Sequence, residues 1–160
     1  QILINNAAVF EKTSFLELTE ENWNKHLDIN LKAPFLLAQA VSRSMLDRKA
    51  GKIINIADDA AQKPYRNYLA YNVSKAGLVG LTKALARELA PYIQVNAVAP
   101  GPMLAADSYS EEEKENIEAK TLLCKWGSPQ DIANAVIFFI EGTDFATGSL
   151  ITINGGRLFV

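Results

Sequence analysis

A tyrosine and a lysine four residues apart are the first side chains in this sequence that could do chemistry together. Tyr71 and Lys75 lie in a stretch with helical spacing, so both project from one face of a helix. A nearby ammonium group favours the phenolate, and we therefore expect Lys75 to lower the pKa of Tyr71 from its ordinary value of about 10. The pair would then act as a general acid near neutral pH. The spacing alone also fits a surface pair without a chemical role.

The composition restricts the class of protein to which such an acid could belong. The chain has 160 residues, 49% of them hydrophobic and 21% charged, which indicates a single folded domain. Its net charge of -2, without a run of Lys or Arg, argues against partners such as nucleic acid or an anionic membrane surface. One His and one Cys cannot form an ordinary zinc site, and the single Cys124 suits a reducing, cytoplasmic location.

Four short runs rich in Ile and Val have the length of β-strands. They are Ile2 to Ile4, Ile53 to Ile56, Ile93 to Val98 and Leu150 to Ile153. Most lack an alternation of apolar and polar residues, which is typical of strands buried on both faces of a parallel sheet. Because segments with helical spacing separate the runs, the sequence predicts an α/β fold with a doubly wound parallel sheet and flanking helices.

The predicted helices have recognisable beginnings and ends. Thr19 is a candidate N-cap for an apolar stripe that continues to Leu46, and Pro34 should kink that helix. A second helix is predicted over 69–89. Ser128 followed by proline opens a further helix. The acidic stretch from 103 to 121 is expected to form a solvated helical excursion at one edge of the sheet.

Short motifs at the ends of the strands place the tyrosine and lysine in a wider pattern. Asn5-Asn6-Ala7-Ala8 follows the first strand, and Pro100-Gly101-Pro102 follows the third. Ala70 to Gly77, with the Tyr and the Lys, opens the long helix, and Asn154-Gly155-Gly156 follows the last strand. In order and spacing these motifs resemble the short-chain dehydrogenase/reductase family over nearly the whole chain. The resemblance implies a Rossmann-type sheet with ligands outside the carboxyl ends of its strands.

The resemblance also implies roles for individual residues. Tyr71 would deliver a proton, Lys75 would bind the nicotinamide ribose and tune Tyr71, and Asn30 would hold a water that resupplies protons. A simpler interpretation of Asn30 is a hydrogen bond to a carbonyl freed next to Pro34. The implied cofactor contacts are Asn6, Ala7, Ala8, Ile56, Tyr71, Lys75, Pro100, Gly101 and Met103. NADPH is favoured over NADH as the cofactor.

Two features depart from the family's pattern. The glycine-rich phosphate turn that follows the family's first strand is absent, and we expect residues 1–160 to form a single partial domain that lacks the N-terminal dinucleotide-binding segment. The second departure is Asp58, which stands thirteen positions before Tyr71, where the family has a serine. An ionised aspartate would repel a developing oxyanion, whereas a buried, protonated one could donate a hydrogen bond.

The aspartate resembles the pteridine reductase branch of the family, including dihydromonapterin reductase-like proteins. Phe10, four residues after Asn6, matches an aromatic that stacks on the pterin in that branch. Asp58, Tyr71 and Phe10 are thus the implied substrate-binding residues, with a hydride transferred to a pterin C=N bond. Asp58 could instead mark a disabled site, or Asp59 could face the pocket in its place; Phe10 could simply pack against its own domain.

Two other functions remain compatible with the sequence. One is a general carbonyl or 3-oxoacyl thioester reductase, and the other is a non-catalytic nucleotide-binding relative. A homodimer or homotetramer is implied by the family, and surfaces for it could come from Leu36, Val41, Leu78 and Leu81. His26 is expected on the outer side of its helix, and Cys124 is expected to be a small buried residue.

Overall fold

Four parallel strands form the centre of the computed structural model, which describes residues 1–105 and 109–160. The strands are β1 (Ile2–Asn5), β2 (Gly51–Ile56), β3 (Ile93–Pro100) and β4 (Leu150–Ile153), and they lie side by side in that order. The register pairs Ile53 with Val95 and Ala97 with Leu150. The predicted α/β fold with a parallel sheet is therefore confirmed, and the ends of all four predicted strands lie within two residues of their expected positions.

The helices occupy the connections between consecutive strands. They are α1 (Glu20–Leu27), α2 (Ala33–Asp47), α3 (Leu69–Leu89), α4 (Glu111–Glu118) and α5 (Pro129–Ile137). The Thr19 side chain accepts a hydrogen bond from the Asn22 N–H and begins α1, as predicted. Ser128 forms a capping box with Asp131 at the start of α5. Within the described residues, none of these helices has both the length and the apolarity to cross a membrane.

The sheet is covered on both faces, as the apolar strand runs predicted. On one face, Ile53 and Val95 pack against Ala38 and Met45 of α2 and Ala86 of α3. On the other face, Ile54 and Val98 pack against Val136 of α5 and against Phe139. Neighbouring residues of a strand point to opposite faces of the sheet, so Ile53 and Ile54 pack in different cores. The two cores hold the strands in place and leave their carboxyl ends open.

The helix predicted from Thr19 to beyond Leu46 is interrupted. A π-helical turn, Asp28–Lys32, separates α1 from α2, and Pro34 lies in the first turn of α2. Proline is tolerated there because the first N–H groups of a helix lack an intrahelical partner. The expected kink is thus realised as a wide turn before the proline, and that turn carries Asn30.

Three expectations about single residues are wrong. His26 is fully buried, because its Nδ1–H donates to the Asn22 carbonyl oxygen and its Nε2 accepts from the Glu11 N–H. Cys124 is exposed and has a φ of 48°, since it lies in the turn after α4. Leu78 packs in the interior and is 1% exposed, so it offers no subunit surface, whereas Leu36 is exposed.

Candidate active site

The carboxyl ends of all four strands contribute to one cavity of about 490 Å³. Phe10 follows β1, Asp58 and Asp59 follow β2, Met103 follows β3 and Arg157 follows β4. The rest of the wall comes from the loop before α3, from α3 itself and from the segment around α4. The further lining residues are Lys63, Pro64, Tyr65, Arg66, Tyr68, Tyr71, Gly101, Pro102, Leu104, Tyr109, Ile117, Lys120 and Trp126.

Tyr71 and Lys75 lie on the first turns of α3, and Tyr71 lines the floor of this cavity. Tyr71 is 5% exposed, and its hydroxyl donates to Asp58 Oδ2 at 2.7 Å. Lys75 is also buried, and its Nζ donates to the Ile56 carbonyl oxygen at 2.8 Å. The Lys75 Nζ lies 5.7 Å from the centre of the Tyr71 ring. The two side chains share one face of α3, as the spacing predicted, and the surface-pair interpretation is wrong.

The expected direction of the Tyr71 pKa shift is wrong. Burial raises the pKa of Tyr71 above its usual value of 10.0, and the negative charge of the Asp58 and Asp59 pair and the hydrogen bond to Asp58 add to the effect. The ammonium group is directed at the Ile56 carbonyl, while the carboxyl lies against the phenol. Burial lowers the pKa of Lys75 to about 8, with the charge of Asp58 opposing that change. Tyr71 therefore retains its proton at neutral pH and can only be a donor.

Asp58 faces Tyr71 across the cavity floor. Its Oδ1 accepts from the Ala60 N–H at 2.8 Å and from the Tyr65 hydroxyl at 3.0 Å. Burial raises the pKa of Asp58, and the neighbouring charge of Asp59 adds to the effect, although the three hydrogen bonds oppose it. The phenol and the carboxyl thus share one cleft. Asp59 also lines this cavity. Both carboxyls therefore face the pocket, and Asp59 does not take the place of Asp58.

Three cavity residues escaped the sequence analysis. Tyr65 contacts both Asp58 and Asp59 through its hydroxyl. Arg157 donates to that hydroxyl at 2.9 Å, and Trp126 also lines the cavity. Tyr65 belongs to no helical pattern, and Arg157 is more than ninety positions further along the chain. A local pattern could not have brought these residues together.

Asn30 connects the loop after β1 to α3. Its Oδ1 accepts from the Val9 N–H at 2.8 Å, and its Nδ2 donates to the Val9 carbonyl and to Ser74 Oγ. The side chain is 1% exposed. These bonds are made with other elements, so the interpretation based on a carbonyl next to Pro34 is wrong. The water-holding role stays a prediction.

Phe10 lies at the cavity wall within an aromatic cluster. Its ring stacks on Tyr68 with centres 4.4 Å apart and meets Tyr71 edge to face at 4.6 Å. The residue is 48% exposed, so it is both packed against its own domain and open to the cavity. One ring face is covered by Tyr68. Stacking on a substrate would have to use the remaining surface.

The comparisons with known proteins agree with this arrangement. Residues 1–157 match the family model described as enoyl-(acyl carrier protein) reductase. The chain belongs to the short-chain dehydrogenase/reductase family. It is 39% identical to the 3-oxoacyl-[acyl-carrier-protein] reductase FabG of Rickettsia felis, over 99% of this chain and 68% of that protein. It is 41% identical to the human dehydrogenase/reductase SDR family member 4, over 97% of this chain and 58% of that protein.

The three-dimensional structure of the chain is also similar to solved structures. The chain resembles 4-hydroxyisoleucine dehydrogenase complexed with NADH, with a TM-score of 0.94 and 35% identity, over 98% of this chain and 67% of that one. The chain thus spans about two thirds or less of the length of these family members. It is an oxidoreductase of the NAD(P)H-dependent short-chain class. Neither the family model nor these relatives points to pterins, so the pteridine reductase interpretation gains no support from them.

The chain's residues fit the nicotinamide end of such a cofactor. Lys75 is hydrogen-bonded to the Ile56 carbonyl at the end of β2, one helical turn from Tyr71, and Asn6 to Ala8 are exposed at the end of β1. Gly101 leaves no room for a side chain, because a Cβ there would lie 2.5 Å from the Cβ of Asn154. The Pro100 turn is consequently pressed against the segment after β4. These contacts describe a fit for a short-chain reductase; the individual cofactor roles stay predictions.

The lowered pKa of Lys75 predicts a dependence of stability on pH. Between about 8 and 10.5 the unfolded chain binds a proton at Lys75 that the folded chain does not. The free energy of unfolding should therefore rise with pH across this window, relative to a Lys75→Met variant, by about 1 to 3 kcal/mol. Urea unfolding of both proteins at several pH values measures the difference. Parallel curves for the two proteins would show that Lys75 is not desolvated.

Proposed function

We propose that this protein reduces a ketone to an alcohol at the expense of a reduced pyridine nucleotide, with 3-oxoacyl thioesters as the first substrates to consider. The observation that carries the proposal is the Tyr71 hydroxyl, which lies at the floor of a cavity of about 490 Å³ and keeps its proton at neutral pH. The similarity to a 3-oxoacyl-[acyl-carrier-protein] reductase supports the choice of substrate class.

The proposed chemistry needs one hydride and one proton for each carbonyl group. A pyridine nucleotide, when bound, would supply the hydride. Tyr71 donates its proton to the carbonyl oxygen as negative charge develops there, because that oxygen then becomes more basic than the phenolate it leaves. Asp58, 2.7 Å away, returns a proton to the Tyr71 oxygen. The carboxylate that remains is reprotonated by water in the cavity, so the balance is one proton taken from solvent per turnover.

Lys75 and Asn30 have supporting roles in this proposal. Lys75 would hold the nicotinamide ribose, with its ammonium kept in place by the Ile56 carbonyl. Asn30 fixes the Val9 loop against α3 through three hydrogen bonds, which keeps the β1 end of the site at a set distance from Tyr71. NADPH is the proposed cofactor, held along Asn6 to Ala8, Ile56 and the Pro100 to Met103 segment. Assembly as a homodimer or homotetramer and a cytoplasmic location belong to the same proposal.

Asp58 favours a second candidate, reduction of a C=N bond in a pterin. A protonated carboxyl can donate to a ring nitrogen, whereas an ionised one repels the oxyanion of a ketone. The exposed surface of Phe10 offers an aromatic contact for a flat heterocycle. The two candidates differ in what they require of position 58, and this difference makes them separable.

Replacement of Asp58 by Ser tests both candidates on the purified protein. Initial rates are measured from the absorbance of NADPH and of NADH, with acetoacetyl-CoA and with dihydrobiopterin as substrates. For a ketone reductase, we expect acetoacetyl-CoA to be the better substrate. Asp58→Ser should lower its turnover less than that of dihydrobiopterin, because a serine hydroxyl can still donate to the carbonyl while water replaces Asp58 in returning a proton to Tyr71. The rate with dihydrobiopterin should fall about a hundredfold if Asp58 is its proton donor.

The comparison has defined outcomes. Faster turnover of dihydrobiopterin than of acetoacetyl-CoA, lost in Asp58→Ser, would replace the first candidate by the second. No turnover of either substrate by a folded protein that binds NADPH would overturn both. Asp58→Asn, which keeps the shape and removes the acid, separates loss of a proton donor from loss of packing.

A further inference from the structure

Two adjacent carboxyls at the cavity floor share one hydroxyl group. The Tyr65 hydroxyl lies 3.0 Å from Asp58 Oδ1 and is also in hydrogen-bond contact with Asp59 Oδ1. A hydroxyl has one proton, so Tyr65 cannot donate to both carboxyls at once. Two carboxylates in one buried site also repel each other, which favours a state with one proton between them. The remaining contacts decide which carboxyl holds it.

The surroundings of the two carboxyls are unequal. Asp59 is 1% exposed, and Arg157 Nη1 lies 3.6 Å from its Oδ1. Asn154 Nδ2 donates to the other oxygen of Asp59 at 3.2 Å. Arg157 also donates to the Tyr65 hydroxyl at 2.9 Å and lies over the Tyr65 ring at 4.7 Å. The guanidinium group therefore forms an ion pair with Asp59, while Asp58 faces the phenol of Tyr71.

We propose that Arg157 is a positioning residue: by pairing with Asp59 it assigns the negative charge of the two carboxyls to that residue and leaves the proton on Asp58. This inference rests on the proposed role of Tyr71 as a proton donor, because a protonated Asp58 is what resupplies it. The groups that face Asp58 are Tyr71 and Lys75 from α3, Tyr65 from the preceding loop, and Asp59. The lone cation among them, Lys75, is bound to the Ile56 carbonyl.

Hydrogen bonds to the backbone of Tyr65 keep its hydroxyl in position between Asp58 and Asp59. Asn72, on the first turn of α3, accepts from the Tyr65 N–H at 3.2 Å and donates to the Tyr65 carbonyl at 2.8 Å. Asn72 is 8% exposed and directly follows Tyr71. The same helical turn thus fixes the reacting phenol and the phenol that joins the two carboxyls. Burial raises the pKa of Asp58, which agrees with a proton on that residue.

Carboxyl-carbon NMR of the purified protein tests the assignment without any substrate. At neutral pH we expect the Asp58 carboxyl resonance at the position of a protonated acid and the Asp59 resonance at that of a carboxylate. In Arg157→Met the two should move toward each other as the proton redistributes to Asp59. Arg157→Lys, which keeps a positive charge, should restore most of the difference. Arg66→Met is the matched control, because Arg66 lines the cavity and, among the described residues, forms no ion pair with either carboxyl.

Kinetics with the better substrate give the second measurement. Arg157→Met should shift the alkaline decline of kcat to lower pH by about one unit, which is a rate about tenfold lower on the alkaline limb, with KM changed much less. Two ionised carboxyls at neutral pH, or unchanged resonances in a folded Arg157→Met variant, would overturn the inference. Correct resonances in a protein that reduces no ketone or pterin would leave the charge assignment standing and refute the proposed function instead.

Discussion

Replacing Tyr71 by Phe should reduce kcat by a factor of about 10² to 10⁴, the usual contribution of a general acid. The substitution removes the hydroxyl that lies 2.7 Å from Asp58 Oδ2 and leaves the ring and its edge-to-face contact with Phe10 in place. Asp58 keeps its hydrogen bond from the Ala60 N–H and its contact with the Tyr65 hydroxyl. The fold should therefore survive, and KM should change far less than kcat. Steady-state kinetics and near-UV circular dichroism measure the two effects.

Tyr92→Phe provides the matched control for the loss of a tyrosine hydroxyl. Tyr92 is 42% exposed and directly precedes β3, at the end of the sheet opposite the cavity. Its replacement should leave kcat within about twofold of the parent, since surface substitutions change stability by about 0.5 kcal/mol or less. If Tyr71→Phe retained more than a tenth of the parent rate, proton donation by Tyr71 would be excluded.

Phe139→Ala should lower the free energy of unfolding by about 3 to 5 kcal/mol, which is a large share of the stability of a domain of this size. Phe139 is 1% exposed and belongs to the core formed by Ile54, Val98 and Val136. Truncation would leave a cavity beneath the two central strands whose carboxyl ends carry the site. Urea unfolding followed by circular dichroism measures the loss.

The neighbouring phenylalanine shows whether burial causes this effect. Phe138 is 46% exposed, and its ring centre lies 5.6 Å from that of Phe139. Phe138→Ala should cost less than about 1 kcal/mol, because much of its surface remains in water in the folded chain. Equal losses in the free energy of unfolding for the two variants would mean that the core around Phe139 does not have the packing described above.

Local signals made much of the fold predictable from the sequence. The bounds of α3, Leu69–Leu89, follow from its apolar spacing, and the caps at Thr19 and Ser128 follow from side chains that bond to backbone within three residues. The two central strands, β2 and β3, were recognisable because both of their faces are buried. The break at Asp28–Lys32 was anticipated only through Pro34, since a π-helical turn has no sequence signal of its own.

The candidate site was predictable only where its residues share a motif. Tyr71 and Lys75 share one helix face, and Asp58 was found by its distance along the chain from Tyr71. The direction of the Tyr71 pKa shift was not predictable from the sequence, because it depends on burial and on which group points at the phenol. The contact of Arg157 with Tyr65 joins positions more than ninety residues apart, and only the parallel sheet brings them together.

The place of Arg157 in the chain has a consequence for how the site comes into being. The phenol and both carboxyls precede β3 in the chain, but their counter-cation follows β4, the last strand in the described sequence. Until β4 docks on β3, the two neighbouring carboxyls have no cationic partner from that segment. The site therefore reaches its working charge state only when β4 is in place, and its activity reports on whether the sheet is complete.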